Sequence, residues 1–304
     1  LCDEAFTLLE VRYAAEYAYW NLSAMGQYRA AMQRFVEIIR SLKEIVDRRF
    51  EEGYISKGDV LMIEARLSAA EYERTIAERN YEEALHNFNI LRGTDADLEV
   101  TLAASILDSL SMPERAGFDR TLSARPDYTA ARLRTEAAAA DVRTVRAAYN
   151  PRIELGVSGI WQPHSPNRRG TTSIDGAVFA RVDIPIFHFR ERRHAVGAAR
   201  AVALQSEWTQ AQLHDDILRQ ERNGWTALNE SRAQVDAVKE SLRIAGENLD
   251  LSTYSYGEGL TTVLDVLQAQ LSWIQLYTNA ITARFNYAVA RSSYQRITAE
   301  QGEN

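Results

Sequence analysis

The sequence predicts a mainly α-helical fold with one β-hairpin, and three observations carry that prediction. Residues 3–50 hold no proline and one isolated glycine, and apolar residues recur at three- and four-residue steps. Residues 153–161 and 175–184 switch to strict alternation. One turn occurs twice: Tyr256–Leu267 reads YGEGLTTVLDVL, and Phe50–Leu61 reads FEEGYISKGDVL, 206 positions earlier.

In chain order, the first helix is expected over 3–50, with Leu8, Val11, Ala15, Ala18 and Leu22 on one face. At 1.5 Å per residue it would be about 70 Å long, a rod rather than part of a compact domain. Gly53 to Gly58 interrupts it. A second helix is expected from about Val60 to Leu91, with Tyr81, Ala84, Leu85, Phe88 and Leu91 on one face and Gly93 as its C-terminal cap. Residues 94–124 are short and mixed, and Pro113 marks an expected helix start.

ARPDYTAAR (124–132) opens the next helix. Pro126 suits its first turn and Asp127 the positive end of its dipole. Pro151 ends this Ala-rich helix, and the period changes. Ile153, Leu155, Val157, Gly159 and Trp161 form one face of a strand. Gln162–Thr172 is an expected exposed loop. On the second strand Gly176, Val178, Ala180, Val182 and Ile184 share a face, opposite Asp175, Arg181 and Asp183. Both lengths suit a tilted membrane-spanning strand and equally a hairpin on a soluble core. A very long helix is expected over 195–255, with a heptad seam at Val235, Val238, Leu242, Ala245 and Leu249. The last helix continues it at Leu264, Leu267, Leu271, Ile274, Thr278, Ile281 and Phe285.

Composition narrows the function classes. The 304 residues carry a net charge of −7 without a long basic run, so nucleic acid is not an expected partner. The one cysteine, Cys2, allows no internal disulfide and no Cys-based zinc site. With only Leu1 before it, it is not expected to carry a lipid. The opening LCDEAF looks like the start of a processed chain or of an interior fragment. No apolar run is long enough for a transmembrane helix, which leaves a β-barrel as the way to span a membrane. His86, His164, His188, His194 and His214 are scattered, so no metal is expected. No phosphate loop follows a strand and no nucleophile motif appears, so neither a cofactor nor enzymatic activity is expected.

Shifting the chain by 206 aligns Phe50–Leu91 with Tyr256–Ile297. Glu52, Gly53, Asp59, Val60, Leu61, Ala77, Asn80, Tyr81 and Ala84 are each repeated. This points to two copies of one unit: long helix, tight turn, returning helix. A helix and hairpin matching 125–187 would then precede the first copy, upstream of Leu1.

These pieces together resemble the outer membrane efflux family, the TolC-like exit ducts of Gram-negative bacteria. The resemblance rests on Arg125–Tyr128 (RPDY), Ala147–Gly159, Ile184–Phe187 (IPIF), the turn at Tyr256–Leu267 and its echo at Phe50–Leu61. It implies a homotrimer in the outer membrane lipid, extending into the periplasm. Four strands per protomer would build a shared transmembrane β-barrel, and paired coiled-coil helices a periplasmic α-barrel tunnel. Its partners would be a periplasmic adaptor (membrane fusion) protein and an inner-membrane pump, in a tripartite efflux or type I secretion system. Three chains of this length supply six strands, where the family barrel has twelve. In these terms residues 1–93 are the first-repeat helical hairpin and 94–124 an equatorial segment. Residues 125–151 are the second-repeat helix, 152–187 the barrel hairpin, 188–298 the second-repeat helical hairpin and 299–304 a polar tail.

The resemblance also implies site roles. Asp59, Tyr256, Thr261 and Asp265 would narrow the tunnel at the helix tips, three-fold symmetry turning each carboxylate into a ring. Thr261 stands where other members carry a basic latch. The bland reading is that Asp59 and Asp265 cap the returning helices. Gly53, Gly58, Gly259 and Leu260 would dock the adaptor, and Glu154, Arg181 and Asp183 would face the barrel interior. His188-Phe189-Arg190 replaces the family's Gly-containing turn. A reading from another class, a soluble periplasmic coiled-coil scaffold without a pore, accounts for the heptads but not for the strand pair or the order of motifs.

Overall fold

The computed structural model describes residues 2–162, 173–187 and 189–299. Its elements are α1 (Cys2–Glu51), α2 (Lys57–Leu91), α3 (Phe118–Ala124), α4 (Pro126–Ala147), β1 (Arg152–Gln162), β2 (Ser173–Asp183), α5 (Glu191–Gly257) and α6 (Val263–Thr298). The chain divides into two compact units, Leu1–Pro126 with Asp216–Asn304, and Asp127–Asp215.

The first unit is a bundle of long helices. Its main core joins Phe35, Val36, Ile39, Leu42 and Val46 of α1 to Val60 and Ile63 of α2. Ala245, Leu249 and Tyr256 of α5 and Val266, Trp273 and Ile274 of α6 complete it. Fully burying one such large side chain contributes roughly 1.5–3 kcal/mol. The core-facing stripe of α2 runs Val60, Ile63, Leu67, Ala70, Arg74, Ala77, Tyr81, Ala84, a strict 3-4 alternation. Its alanines let α2 approach α1 closely.

Of the expected α5 seam Ala245 and Leu249 are buried and Val235, Val238 and Leu242 half-buried; the expected α6 seam is met in part. Leu264 and Leu271 are exposed, while Val266, Ala269, Trp273, Ala280, Ala283 and Tyr287 are buried. That stripe lies 206 positions after the α2 stripe. Leu267, Ile274 and Ile281 are buried beside it, because α6 packs against both α1 and α5. A helix with two buried sides has no single seam to find. On α1, Leu8 and Val11 are exposed.

Residues 94–117 contain no helix, and the start expected at Pro113 is absent. Extended chain continues to Gly117, which precedes α3 with φ +76°. Helical side chains hold this stretch. Asn89, fully buried, donates to the carbonyls of Ala96 and Leu98 at 2.9 and 2.8 Å. The Tyr19 hydroxyl donates to Ala104 O and accepts from Ala104 N. Ser23 Oγ accepts from Ile106 N at 2.8 Å. Arg115 donates through two nitrogens to Glu221, a buried carboxylate on α5 that also accepts from the Tyr294 hydroxyl.

The α4 helix begins at Pro126, as expected, and in the second unit the Thr135 hydroxyl donates to Ser206 O of α5. The strands pair antiparallel over their whole length, Arg152 opposite Asp183 and Gln162 opposite Ser173. The expected loop between them, 163–172, lies outside the described residues, as do His164, His188 and the tail 300–304. After β2 the chain turns through Phe189 and Arg190, at φ +40° and +67°. Two L-residues with side chains occupy a region that favours glycine.

Candidate functional site

The two helix turns have the same construction, bond for bond. At the first, the amides of Glu52, Gly53 and Tyr54 donate to the carbonyls of Arg48, Phe50 and Arg49. At the second, Glu258, Gly259 and Leu260 donate to Tyr254, Tyr256 and Ser255. Gly53 and Gly259 lie at φ +78° and +77°, the left-handed conformation that ends a helix with little penalty only at glycine. Each turn then presents a large exposed apolar residue at the matching place, Tyr54 at 72% and Leu260 at 79% exposure.

Each returning helix begins with a reciprocal cap. Ser56 precedes α2, its Oγ accepting from Asp59 N, while the Asp59 carboxylate accepts from Ser56 N at 3.0 Å. Thr262 and Asp265 repeat this at α6, with 3.0 Å from Thr262 N to Asp265. This is the capping box with aspartate at the third helical position. So α2 starts at Lys57, three residues before the expected start, because the cap is Ser56 and not Asp59. Gly58 therefore belongs to the first turn of α2 and not to the interhelical turn. Its counterpart in the second copy is Leu264.

Thr261 adds a bond of 2.7 Å to the Asp265 carboxylate. The Thr262 and Thr261 hydroxyls and the Thr262 amide together hold the Asp265 carboxyl down at about 2. Tyr256 is buried, at 2% exposure, and its hydroxyl has no hydrogen-bond partner among the described residues. Burial pushes its phenol above the ordinary value; Arg49 opposes the shift and Asp59 adds to it.

Arg49, near the end of α1, links the two turns. Its guanidinium donates to Tyr256 O and lies 4.9 Å from the centre of the Tyr256 ring. A Cβ placed on Gly259 would meet Arg49 Nη2 at 3.2 Å. The cation thus sits against the C-terminal carbonyls of α5, where the helix dipole favours it. Sequence reading missed Arg49, because nothing local ties it to a tyrosine 207 positions away. It also missed Ser56 and Thr262, whose three-residue spacing to an aspartate was the available signal.

The other expected site residues lie in the second unit. Glu154 and Arg181 are directly opposite across the strands, 3.6 Å apart, and Asp183 faces Arg152. Phe179 covers Gly156 on that face, its ring lying where a Cβ would stand. The opposite face is uniformly apolar. Ile153, Leu155, Val157 and Trp161 pair with Val182, Ala180, Val178 and Ile174, and Val178 is 84% exposed. No helix among the described residues is long and apolar enough to cross a membrane.

Comparison with known proteins accounts for this combination. The chain is 26% identical over 244 residues to nodulation protein T of Rhizobium leguminosarum bv. trifolii, covering 77% of this chain and 51% of that protein. It is 24% identical over 313 residues to the outer membrane efflux protein BepC of Brucella suis biovar 1, covering 98% and 65%. The chain therefore spans between half and two thirds of these relatives. Its fold matches that of the outer-membrane channel OprN with a TM-score of 0.87 at 19% identity, over 98% of this chain and 67% of that one. Residues 118–299, from α3 through the hairpin to the end of α6, match the family described as outer membrane efflux protein. With that match over more than half its length, the chain belongs to the outer membrane efflux protein family.

Proposed function

We infer that the chain is the helical and part of the strand portion of an outer-membrane exit duct. The duct would serve a tripartite efflux or type I secretion system and pass small molecules or proteins passively from periplasm to exterior. The observation that carries this is the hairpin: one strand face is apolar and exposed over its whole length, which hydrocarbon accommodates and water does not. The other face, with Glu154, Arg181 and Asp183, suits a polar lumen. A soluble scaffold leaves that apolar face unexplained.

Two copies of the helix–turn–helix unit per chain would place six tips around one periplasmic opening in a homotrimer. Asp59 and Asp265 occupy equivalent positions and would form the carboxylate rings. Their capping role is compatible with this, since one oxygen can cap while the charge faces the axis. Tyr256 is too buried to line an opening; it would act as a wedge between the tips. With Thr261 tied to Asp265, Arg49 supplies the basic latch, within the protomer. Tyr54 and Leu260, beside Gly53 and Gly259, form apolar knobs suited to an adaptor's helical hairpin, and an inner-membrane pump would supply the energy.

Planar-bilayer recordings of the full-length protein test the duct. Discrete conductance from folded trimers is expected, and its absence overturns the reading. For the gate, the pair Asp59→Asn and Asp265→Asn should raise conductance and drug susceptibility relative to the parent. Unchanged behaviour in both assays removes the carboxylate rings from the mechanism.

A further inference from the structure

Five arginines converge where the hairpin joins its helices. Arg146, in the last turn of α4, Arg190, in the turn before α5, and Arg192, Arg193 and Arg200, in its first turns, line a cleft of about 540 Å³ floored by Val196 and Gly197. All five are exposed. None of their guanidinium groups has a hydrogen bond, ion pair or ring contact among the described residues. The carboxylate within this run, Glu191, accepts from the Tyr149 hydroxyl at 3.2 Å. Five guanidinium groups around one cleft repel each other unless an anion is present, and their planar forks match phosphate oxygens two at a time.

The neighbouring residues indicate which phosphate. Between the last residue of β2 and the first arginine lie Ile184, Ile186, Phe187 and Phe189, all exposed, and Ile186 is 92% exposed. The Phe187 and Phe189 rings stack edge to face at 4.6 Å. The order is thus apolar strand face, exposed aromatic pair, arginine cleft. That is the sequence of environments met on passing from hydrocarbon through an aromatic girdle to a headgroup layer. A free phosphate would satisfy the arginines but leave the aromatic and aliphatic residues in water. An amphiphile satisfies both.

We propose that this cleft binds the phosphate headgroup of an anionic phospholipid, in the leaflet next to the helical part of the protein. The site rests on the reading of the hairpin as membrane-facing. It would anchor each protomer at a fixed depth, which the hairpin's apolar face does not do alone.

The test transfers the purified full-length protein from detergent into vesicles of phosphatidylcholine, or of phosphatidylcholine mixed with phosphatidylglycerol. Insertion is followed by protease protection of the hairpin, and attachment by flotation. Each arginine near an anionic bilayer strengthens attachment about fivefold. The triple variant Arg192→Gln/Arg193→Gln/Arg200→Gln should therefore lose on the order of a hundredfold of the gain from phosphatidylglycerol. It should insert into phosphatidylcholine like the parent. The corresponding lysine variant, checked by circular dichroism, should keep most of the gain. An equal-charge control, Arg12→Gln/Arg40→Gln/Arg243→Gln, should keep all of it. If the triple variant and control behave alike, the site is overturned while the duct reading stands. If inorganic phosphate alone fills the cleft and phosphatidylglycerol adds nothing, the lipid assignment is overturned. If the parent inserts into neither bilayer, the membrane-facing hairpin fails, and the site with it.

Discussion

The guanidinium of Arg49 on α1 donates to the carbonyl of Tyr256, the last but one residue of α5, and covers the tyrosine ring beside it. One side chain thereby joins two turns that are otherwise built from local bonds. Arg49→Ala should loosen the second turn by about 1–2 kcal/mol, the value of a charge-assisted hydrogen bond plus its helix-end contribution. Amide exchange at Gly259 and Leu260 should accelerate accordingly, while Gly53 and Tyr54 stay protected. In the proposed full-length duct the same change should increase open probability. Arg49→Lys should restore part of both effects.

The glycines separate by environment. Gly53→Ala meets no atom within 4 Å and should cost only the left-handed backbone penalty, about 1 kcal/mol. Gly259→Ala incurs the same penalty and also displaces Arg49, so its loss should be greater. Gly58→Ala should go the other way, stabilising by up to about 1 kcal/mol from helix propensity, with Ser56 Oγ adjusting slightly at 3.3 Å. Urea unfolding midpoints of the three variants provide the ranking. A destabilised Gly58→Ala would place that glycine in the turn after all.

Acid should act on the second tip late. The Asp265 carboxyl titrates at about 2 in the folded chain, below its ordinary 3.8. A depressed carboxylate contributes stability that is present above its unfolded value and lost as pH falls through the folded one. The α6 cap should therefore hold at pH 4 and weaken between about 4 and 2. Carbon-detected NMR of the Asp265 carboxyl should show this midpoint, and Thr262→Ala should raise it.

The turn after β2 predicts a stabilising substitution. Arg190 lies at φ +67° with a full side chain, so Arg190→Gly should relieve about 1 kcal/mol of backbone strain. Thermal unfolding should shift upward. No shift would mean the left-handed geometry is not held at that position.

Much of this architecture was legible because it rests on period. The helix of α1, the two strands with their apolar faces and the start of α4 at Pro126 follow from spacing and from one proline. What was not legible depends on contacts between distant segments. Residues 94–117 carry no period, because Asn89, Tyr19 and Ser23 supply the bonds that secondary structure would otherwise make. The α6 seam was only half legible: Leu267, Ile274 and Ile281 are core, but leucines at 264 and 271 outrank alanines at 269 and 283 in a pattern count, while packing selects the small residues. In the candidate site the glycines and aspartates were visible through repetition. Arg49 occurs once, so repetition could not reveal it.

The self-contained bonding of the turns has a mechanical consequence. Every backbone-to-backbone bond at the first turn begins and ends within residues 48–59, and at the second within 254–265, the Arg49 side chain being the one hydrogen-bonded link between them among the described residues. Each turn is therefore a stiff cassette, with no flexible joint at its apex. Force applied to the apolar knob at Tyr54 or Leu260 cannot be absorbed there and passes into the helices behind it.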